Sequence, residues 1–180
     1  SAMYTESMDS HFILPIEDTN PENIDPTAYA MLEEGGRWLT RIDEVIIQSD
    51  RLGVYYDYAE KLVRLGGGYV CTCTSDDFRA IAFKKIACPC RDLGVEEHQK
   101  RYAAMFSTYK PGEAVLRCRS EINHPNPALR DFPLMRINEN PHARQGTEHR
   151  VWPLMNLAVV CDDIESGMTH IIRAKDHVDN

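Results

Sequence analysis

The run Leu157-Ala158-Val159-Val160-Cys161, followed by Asp162-Asp163 and then Gly167-Met168-Thr169-His170-Ile171-Ile172-Arg173, constrains the fold more than any other stretch of the chain. Five apolar residues without a polar interruption predict a strand covered on both faces, as in parallel α/β sheets, and Thr169 to Ile172 predicts a second one. Ligands of such sheets sit beyond the carboxyl ends of the strands, where Arg173 falls. The run His11-Phe12-Ile13-Leu14-Pro15-Ile16 is also strand-like and delivers Glu17-Asp18-Thr19 to a matching position. With the strands adjacent, a carboxylate and a guanidinium share one crevice. Glu17 suits an ammonium, and Arg173 suits a carboxylate held by two parallel hydrogen bonds, so a dicarboxylic amino acid fits. Surface ion pairing accounts for the same residues, since exposed pairs are common and weak.

The remaining pattern divides the chain into three. Asp25-Pro26 marks a helix start, with an acid at the N-cap and proline at the first helical position, and the helix is expected from Thr27 to Leu39. Gly35-Gly36 is expected to interrupt it, at about 1 kcal/mol per glycine. Asp43 to Ile47 reads as a short strand. Leu52 to Leu65 reads as an amphipathic helix with Tyr55, Tyr58, Leu62 and Leu65 on one side, ended by Gly66-Gly67-Gly68. From residue 67 to 150 the style changes to short strands and helices. A helix capped by Ser75 turns Phe78, Ile81 and Ala82 inward. A helix from Val95 to Thr108 turns Tyr102, Met105 and Phe106 to a core and Lys100 and Arg101 to solvent. The strand Ala114 to Arg119 alternates, and the segment from His124 to Pro133 is a proline-punctuated loop. Val151 returns to the buried-sheet pattern. The expectation is an α/β nucleotide-binding fold, residues 1–66 and 151–180, interrupted by an α+β insertion, residues 67–150.

Within the insertion, Cys71-Thr72-Cys73 and Cys88-Pro89-Cys90 form Cys-x-Cys-x14-Cys-x-Cys. Four thiolates in two close pairs can complete a closed, tetrahedral, structural zinc site, with His98 as a substitute ligand. The pairs are tighter than in most zinc motifs, and metal-free packing is the alternative. Cys118 and Cys161 belong to no pair and read as small buried residues.

The formal net charge of −8 disfavours a polyanion partner until it is divided along the chain. Lys plus Arg against Asp plus Glu is 5 against 13 in residues 1–66, 13 against 10 in residues 67–150 and 2 against 5 in residues 151–180. Only the middle segment is positive, and phosphate attraction depends on the local field. The sequence contains no run of 18 apolar residues and no charged-then-apolar leader, so neither a membrane span nor a secretory signal is expected. Six cysteines without a leader imply reduced thiols and a cytoplasmic protein. Ser1-Ala2 resembles a cloning remnant.

Four ordered blocks carry a resemblance. Phe12-Ile13-Leu14-Pro15-Ile16-Glu17-Asp18-Thr19-Asn20-Pro21, Gln48-Ser49-Asp50-Arg51, Trp152-Pro153-Leu154-Met155-Asn156, and Asp162-Asp163 through Thr169-His170 to Arg173 are similar to glutamyl-tRNA synthetase in its archaeal form. The resemblance covers nearly the whole chain. It implies a class I aminoacyl-tRNA synthetase, Rossmann-like in its catalytic fold, that activates glutamate with ATP and Mg and passes it to the acceptor end of tRNA(Glu). Glu17 would then contact the α-ammonium of glutamate, Arg173 its side-chain carboxylate, and His170 would shape the pocket. Glutaminyl relatives lack the arginine, because a neutral amide needs no cation. The insertion would bind the tRNA acceptor end, with Arg51, Arg91, Arg130 and Arg136 as candidate contacts. Some bacterial relatives carry zinc at a similar place to the paired cysteines.

The chain departs from the family in two positions and in two missing signatures. Pro15 stands where the family has arginine, and Met155 where bacterial members have tyrosine. The ATP-handling signatures His-Ile-Gly-His and Lys-Met-Ser-Lys-Ser do not occur in the 180 residues, so the chain is expected to be a fragment, inactive by itself. Two other readings remain open, a zinc-stabilised RNA-binding module without catalysis and a truncated paralogue that glutamylates a tRNA base.

Overall fold

The structure, a computed structural model, describes residues 2–172. After a short helix α1 (Ala2–Ser7), the chain forms a parallel βαβ unit from β1 (Ile13–Ile16), α2 (Ala28–Leu39) and β2 (Glu44–Ile47). Ile13 pairs with Glu44 and Ile16 with Ile47. Pro15 is tolerated because β1 has one paired neighbour among the described residues, and proline is confined to such edges. The expected N-cap acid, Asp25, lies two residues before the observed N-cap, Thr27, and accepts from the Thr27 amide at 2.9 Å. Gly35-Gly36 does not interrupt α2. A Cβ at Gly36 would stand 2.6 Å from Ile42 Cδ1 and 3.5 Å from Leu14 Cδ2, so the glycine lets the helix approach β1 closely.

The helix α3 (Leu52–Arg64) follows, ended by Gly66 in the left-handed region at φ 76°. Then come β3 (Gly68–Cys71), α4 (Ser75–Phe83), α5 (Val95–Met105), β4 (Val115–Cys118), β5 (Pro133–Ile137), β6 (Val151–Pro153) and α6 (Met155–Glu165). The strands make one antiparallel sheet in the order β3-β4-β5-β6, with a register shift between Leu116 and Arg117. The cap of α4 is Thr74 rather than Ser75: its side chain accepts from the Asp77 amide at 3.2 Å.

Two expectations fail at the end of the chain. Leu157 to Cys161 lies inside helix α6, not in a strand. The apolar run fits either state, and here Leu157, Ala158, Val159 and Cys161 are buried while Val160 is exposed. Thr169 to Ile172 is not a strand either, and Ile171 and Ile172 are exposed. Arg173 lies outside the described residues.

The main core also ignores the expected boundaries. Leu52, Tyr55, Ala59 and Val63 of α3 pack with Val70, Leu116, Met135 and Trp152 of the sheet, with Met105 of α5, and with Leu157 and Ala158 of α6. β6 pairs with β5 through Met135 and Pro153, so the expected division at residue 151 falls inside a hydrogen-bonded sheet. A second, smaller cluster joins Tyr69, Phe78 and Ala82 to Cys71, Cys88 and Cys90. No helix among the described residues is long and apolar enough to cross a membrane.

Candidate amino-acid pocket and thiol cluster

A cavity of about 670 Å³ opens beside β1, lined by His11, Pro15 and Glu17 on one side and by Met155, Asp163 and His170 on the other. Glu17 is exposed to it, directly after the last residue of β1. His170 is exposed, its Nδ1 3.1 Å from Thr169 Oγ1 and its ring 5.3 Å from that of Tyr4. The fold thus brings Glu17 and His170 to one space from opposite ends of the chain. A carboxylate there suits an ammonium group.

Two buried carboxylates that sequence reasoning did not single out hold this wall in place. Asp18 accepts from the Ser49 amide at 2.8 Å, the Ser49 hydroxyl at 2.6 Å and the Tyr29 hydroxyl at 2.6 Å. Burial and the neighbouring Asp18 push the Tyr29 phenol far above its ordinary range, so it stays a donor. Asp162 accepts from Gln48 Nε2 at 3.0 Å, Arg51 Nε at 2.9 Å and the Tyr55 hydroxyl at 2.9 Å. Burial and the adjacent Asp162 likewise push Tyr55 well up. The available signal was position: an acid two residues beyond the buried Ile16, on the same alternation, and an acid that extends an apolar run are both candidates for buried acceptors.

The four paired cysteines converge. Cys71 ends β3, Cys88 and Cys90 flank Pro89 at a 3-10 turn (Pro89–Asp92), and the four sulfurs all lie within 4.8 Å of one another. Cys71 and Cys73 each approach Cys88 at 3.4 Å. Metal–sulfur bonds of about 2.3 Å in a tetrahedron put the sulfurs about 3.8 Å apart, so the set fits a closed thiolate site. Burial pushes the Cys73 thiol up to about 11 and Cys88 higher still. Cys90 differs. Burial opposes its ionisation, but the Thr72 amide and hydroxyl and the Arg101 guanidinium bring it down to about 7. Arg101, expected in solvent, turns in to place Nη1 3.6 Å from Cys90 Sγ. His98 is not part of the cluster: its Nδ1 accepts from the Val70 amide at 3.2 Å.

The sequence pattern of the tRNA synthetases of class I (E and Q), catalytic domain, matches residues 2–180. The chain belongs to this family. Glutamate–tRNA ligases of Methanothermobacter thermautotrophicus and Thermococcus kodakarensis are each 48% identical to it, over 178 and 182 residues, and that of Methanocorpusculum labreanum is 47% identical over 180. Each alignment covers 98% of this chain and 32% of the relative, so the chain spans about a third of their length. Among solved structures, a glutamate tRNA ligase from Elizabethkingia meningosepticum in complex with its amino acid matches with a TM-score of 0.68. At 20% identity, covering 97% of this chain and 39% of that one, it shows the class I synthetase fold.

The arginines singled out in this synthetase chain are mostly engaged internally. Arg130 is buried, donating Nε to the His124 carbonyl at 2.6 Å, Nη1 to that of Ala82 at 3.1 Å and Nη2 to that of Pro125 at 2.9 Å. A guanidinium so enclosed does not face a phosphate; the Pro125 and Pro127 turns fold the loop around it. Arg51 pairs with Asp162. Arg91 donates to the Ser120 carbonyl at 2.7 Å, with Nε 3.3 Å from Asp131. Arg136 donates to Asn20 Oδ1. Their work in this conformation is to join segments distant in sequence.

Proposed function

We propose that the chain is the amino-acid-binding and acceptor-end-binding part of a glutamate–tRNA ligase, a cytoplasmic enzyme that joins glutamate to tRNA(Glu) with ATP and Mg as the activating substrate. The observation that carries the reading is the convergence of Glu17 and His170 on one cavity, in a chain 48% identical to named glutamate–tRNA ligases over 98% of its length. Glu17 holds the α-ammonium of glutamate, and His170 with Met155 shapes the wall. Arg173, outside the described residues, takes the side-chain carboxylate. The acceptor end lies along residues 67–150, the segment in which basic residues outnumber acidic ones.

Chemistry in this enzyme rests on positioning and on charge stabilisation, so no histidine or cysteine is needed as a proton carrier or nucleophile. The 180 residues contain neither His-Ile-Gly-His nor Lys-Met-Ser-Lys-Ser, and by itself the chain is expected to bind without activating glutamate. In the full-length enzyme, Glu17→Gln should raise the glutamate KM roughly a hundredfold, as loss of a charged partner costs several kcal/mol at most, and leave the ATP KM near wild type. An unchanged glutamate KM removes the reading.

Cys71, Cys73, Cys88 and Cys90 would hold one zinc ion, which supplies a structural cross-link between the end of β3 and the 3-10 turn. Native mass spectrometry before and after chelation tests this. One zinc, whose loss loosens α4 and leaves the main core folded, is the expected result; a metal-free, fully folded chain makes the cysteines packing residues.

A further inference from the structure

The segment from Asn138 to His149 leaves the sheet, doubles back and crosses to the βαβ unit. Its turn is tight: His142 and Gly146 exchange both backbone hydrogen bonds, at 2.8 and 2.9 Å, and Gly146 takes φ 55°. Beside Gln145, which donates to Asp50 at 2.9 Å, four side chains fasten the segment and its approach to the residues that follow β1 and β2. Arg136 meets Asn20, Asn140 Nδ2 donates to Glu22 at 2.8 Å, and Arg144 Nη2 donates to Asp50 at 2.6 Å. The fourth is His142, whose Nε2 lies 2.7 Å from the Asp18 carbonyl.

His142 differs from the other three in burial and in definition. Its side chain is fully buried, stacked on Trp152 with centroids 4.7 Å apart and planes 21° from parallel. The amides of Arg144 and Gln145 both point at Nδ1, at 3.0 and 3.1 Å. Two N–H donors require a lone pair on Nδ1, so the proton resides on Nε2 and is donated to the Asp18 carbonyl. The ring therefore has one tautomer and one orientation. Asp18 is fixed twice, its carbonyl by His142 and its carboxylate by Ser49 and Tyr29. Glu17 is the preceding residue and has no comparable anchor among the described residues.

We propose that His142 is a positioning residue for the amino-acid site: by holding the Asp18 carbonyl it sets the backbone direction from which the Glu17 carboxylate reaches the substrate ammonium. The inference rests on the reading that Glu17 binds that ammonium. Rotation of the Asp18–Thr19 peptide, whose carbonyl His142 holds, turns the chain at Asp18 and displaces the neighbouring Glu17 carboxylate by roughly an ångström or more, enough to weaken a charge-assisted hydrogen bond without disturbing a site for another substrate. Exposed contacts such as Arg144–Asp50, with both side chains more than a third exposed, cannot define the peptide so closely.

The test uses the full-length enzyme and three variants. His142→Phe keeps the stack on Trp152 and removes both hydrogen-bonding nitrogens. It should raise the glutamate KM roughly tenfold or more, with kcat and the ATP KM within about threefold of wild type. His142→Gln, whose amide N–H reaches the place of Nε2, should restore most of the glutamate KM. An unchanged glutamate KM in His142→Phe overturns the proposal. So does a parallel rise in the glutamate and ATP KM in both variants, which is the signature of a structural role alone. If His142→Phe does not fold, His142→Asn replaces it, since it keeps an acceptor near Nδ1 but lacks the far donor; equal glutamate KM in the Asn and Gln variants then overturns the proposal. Glu17→Gln separates the two levels. If it leaves the glutamate KM unchanged, the site reading has failed; if it raises it while His142→Phe does not, only the role of His142 has failed.

Discussion

The βαβ unit and the four-stranded sheet use similar apolar residues but are stabilised in different ways. In the sheet region α3, α5 and α6 close over the strands, and Tyr55, Met105, Leu116, Met135 and Trp152 are almost wholly removed from water. In the βαβ unit only Ile16 and Ile46 of the two strands are buried, α2 buries no residue, and Met31, Trp38 and Leu39 lie exposed. Two strands are marginal without further apolar burial. What fastens this unit to the rest is polar: Asp18 to His142, Asp50 to Arg144, and, just past β2, Gln48 and Arg51 to Asp162, while Asp18 to Tyr29 and Ser49 ties the unit together within itself. The pocket therefore stands on the less apolar of the two regions, where hydrogen bonds set directions that apolar burial, being non-directional, does not.

The largest expected effect tests the sheet. Trp152→Ala removes a fully buried ring and should cost about 3–5 kcal/mol in denaturant unfolding, lowering both regions together. Retention of most of the stability would break the contrast, because the sheet would then not be the apolar anchor. Next is Asp18→Ala, which leaves the Ser49 amide and the Tyr29 hydroxyl without an acceptor. A loss of about 1–3 kcal/mol is expected, seen first as faster amide hydrogen exchange in β1 and β2 while β4 and β5 keep their protection. Uniform loss across both sheets would show that the two regions unfold as one. The smallest effect is Trp38→Ala. At 84% exposure the ring contributes little to this fold, and a stability change within about 0.5 kcal/mol is expected by the same unfolding measurement.

Legibility in the sequence followed the range of the interaction. The strands ending at Ile16 and Ile47 and the helices expected over Leu52 to Leu65 and Val95 to Thr108 follow local periodicity and stand in the structure, but the buried face of the first helix is Leu52, Tyr55, Ala59 and Val63, with Leu65 exposed, and Phe106 beyond the second helix is exposed as well. The strand expected at Leu157 to Cys161 does not stand, because five apolar residues in a row satisfy a buried strand and a buried helix face equally. Arg130 reads as an exposed cation by residue type, and only the folding of the loop around it shows that carbonyls surround it. Asp18, Asp162 and His142 were invisible as a group for the same reason: each has a partner distant in sequence, Ser49 lying 31 residues from Asp18, Gln48 lying 114 from Asp162 and Asp18 lying 124 from His142.

The sequence by itself determined the family, through four ordered blocks, and the candidate ligands Glu17, His170 and the paired cysteines, since residue type and spacing are chemical facts that need no coordinates. Tertiary structure alone decided that Glu17 and His170 share one cavity, that the four sulfurs come within 4.8 Å, and that His142 carries its proton on Nε2. The physical reason is that periodicity reports which face of an element is apolar, whereas the partner of a buried polar atom is chosen by how distant segments cross.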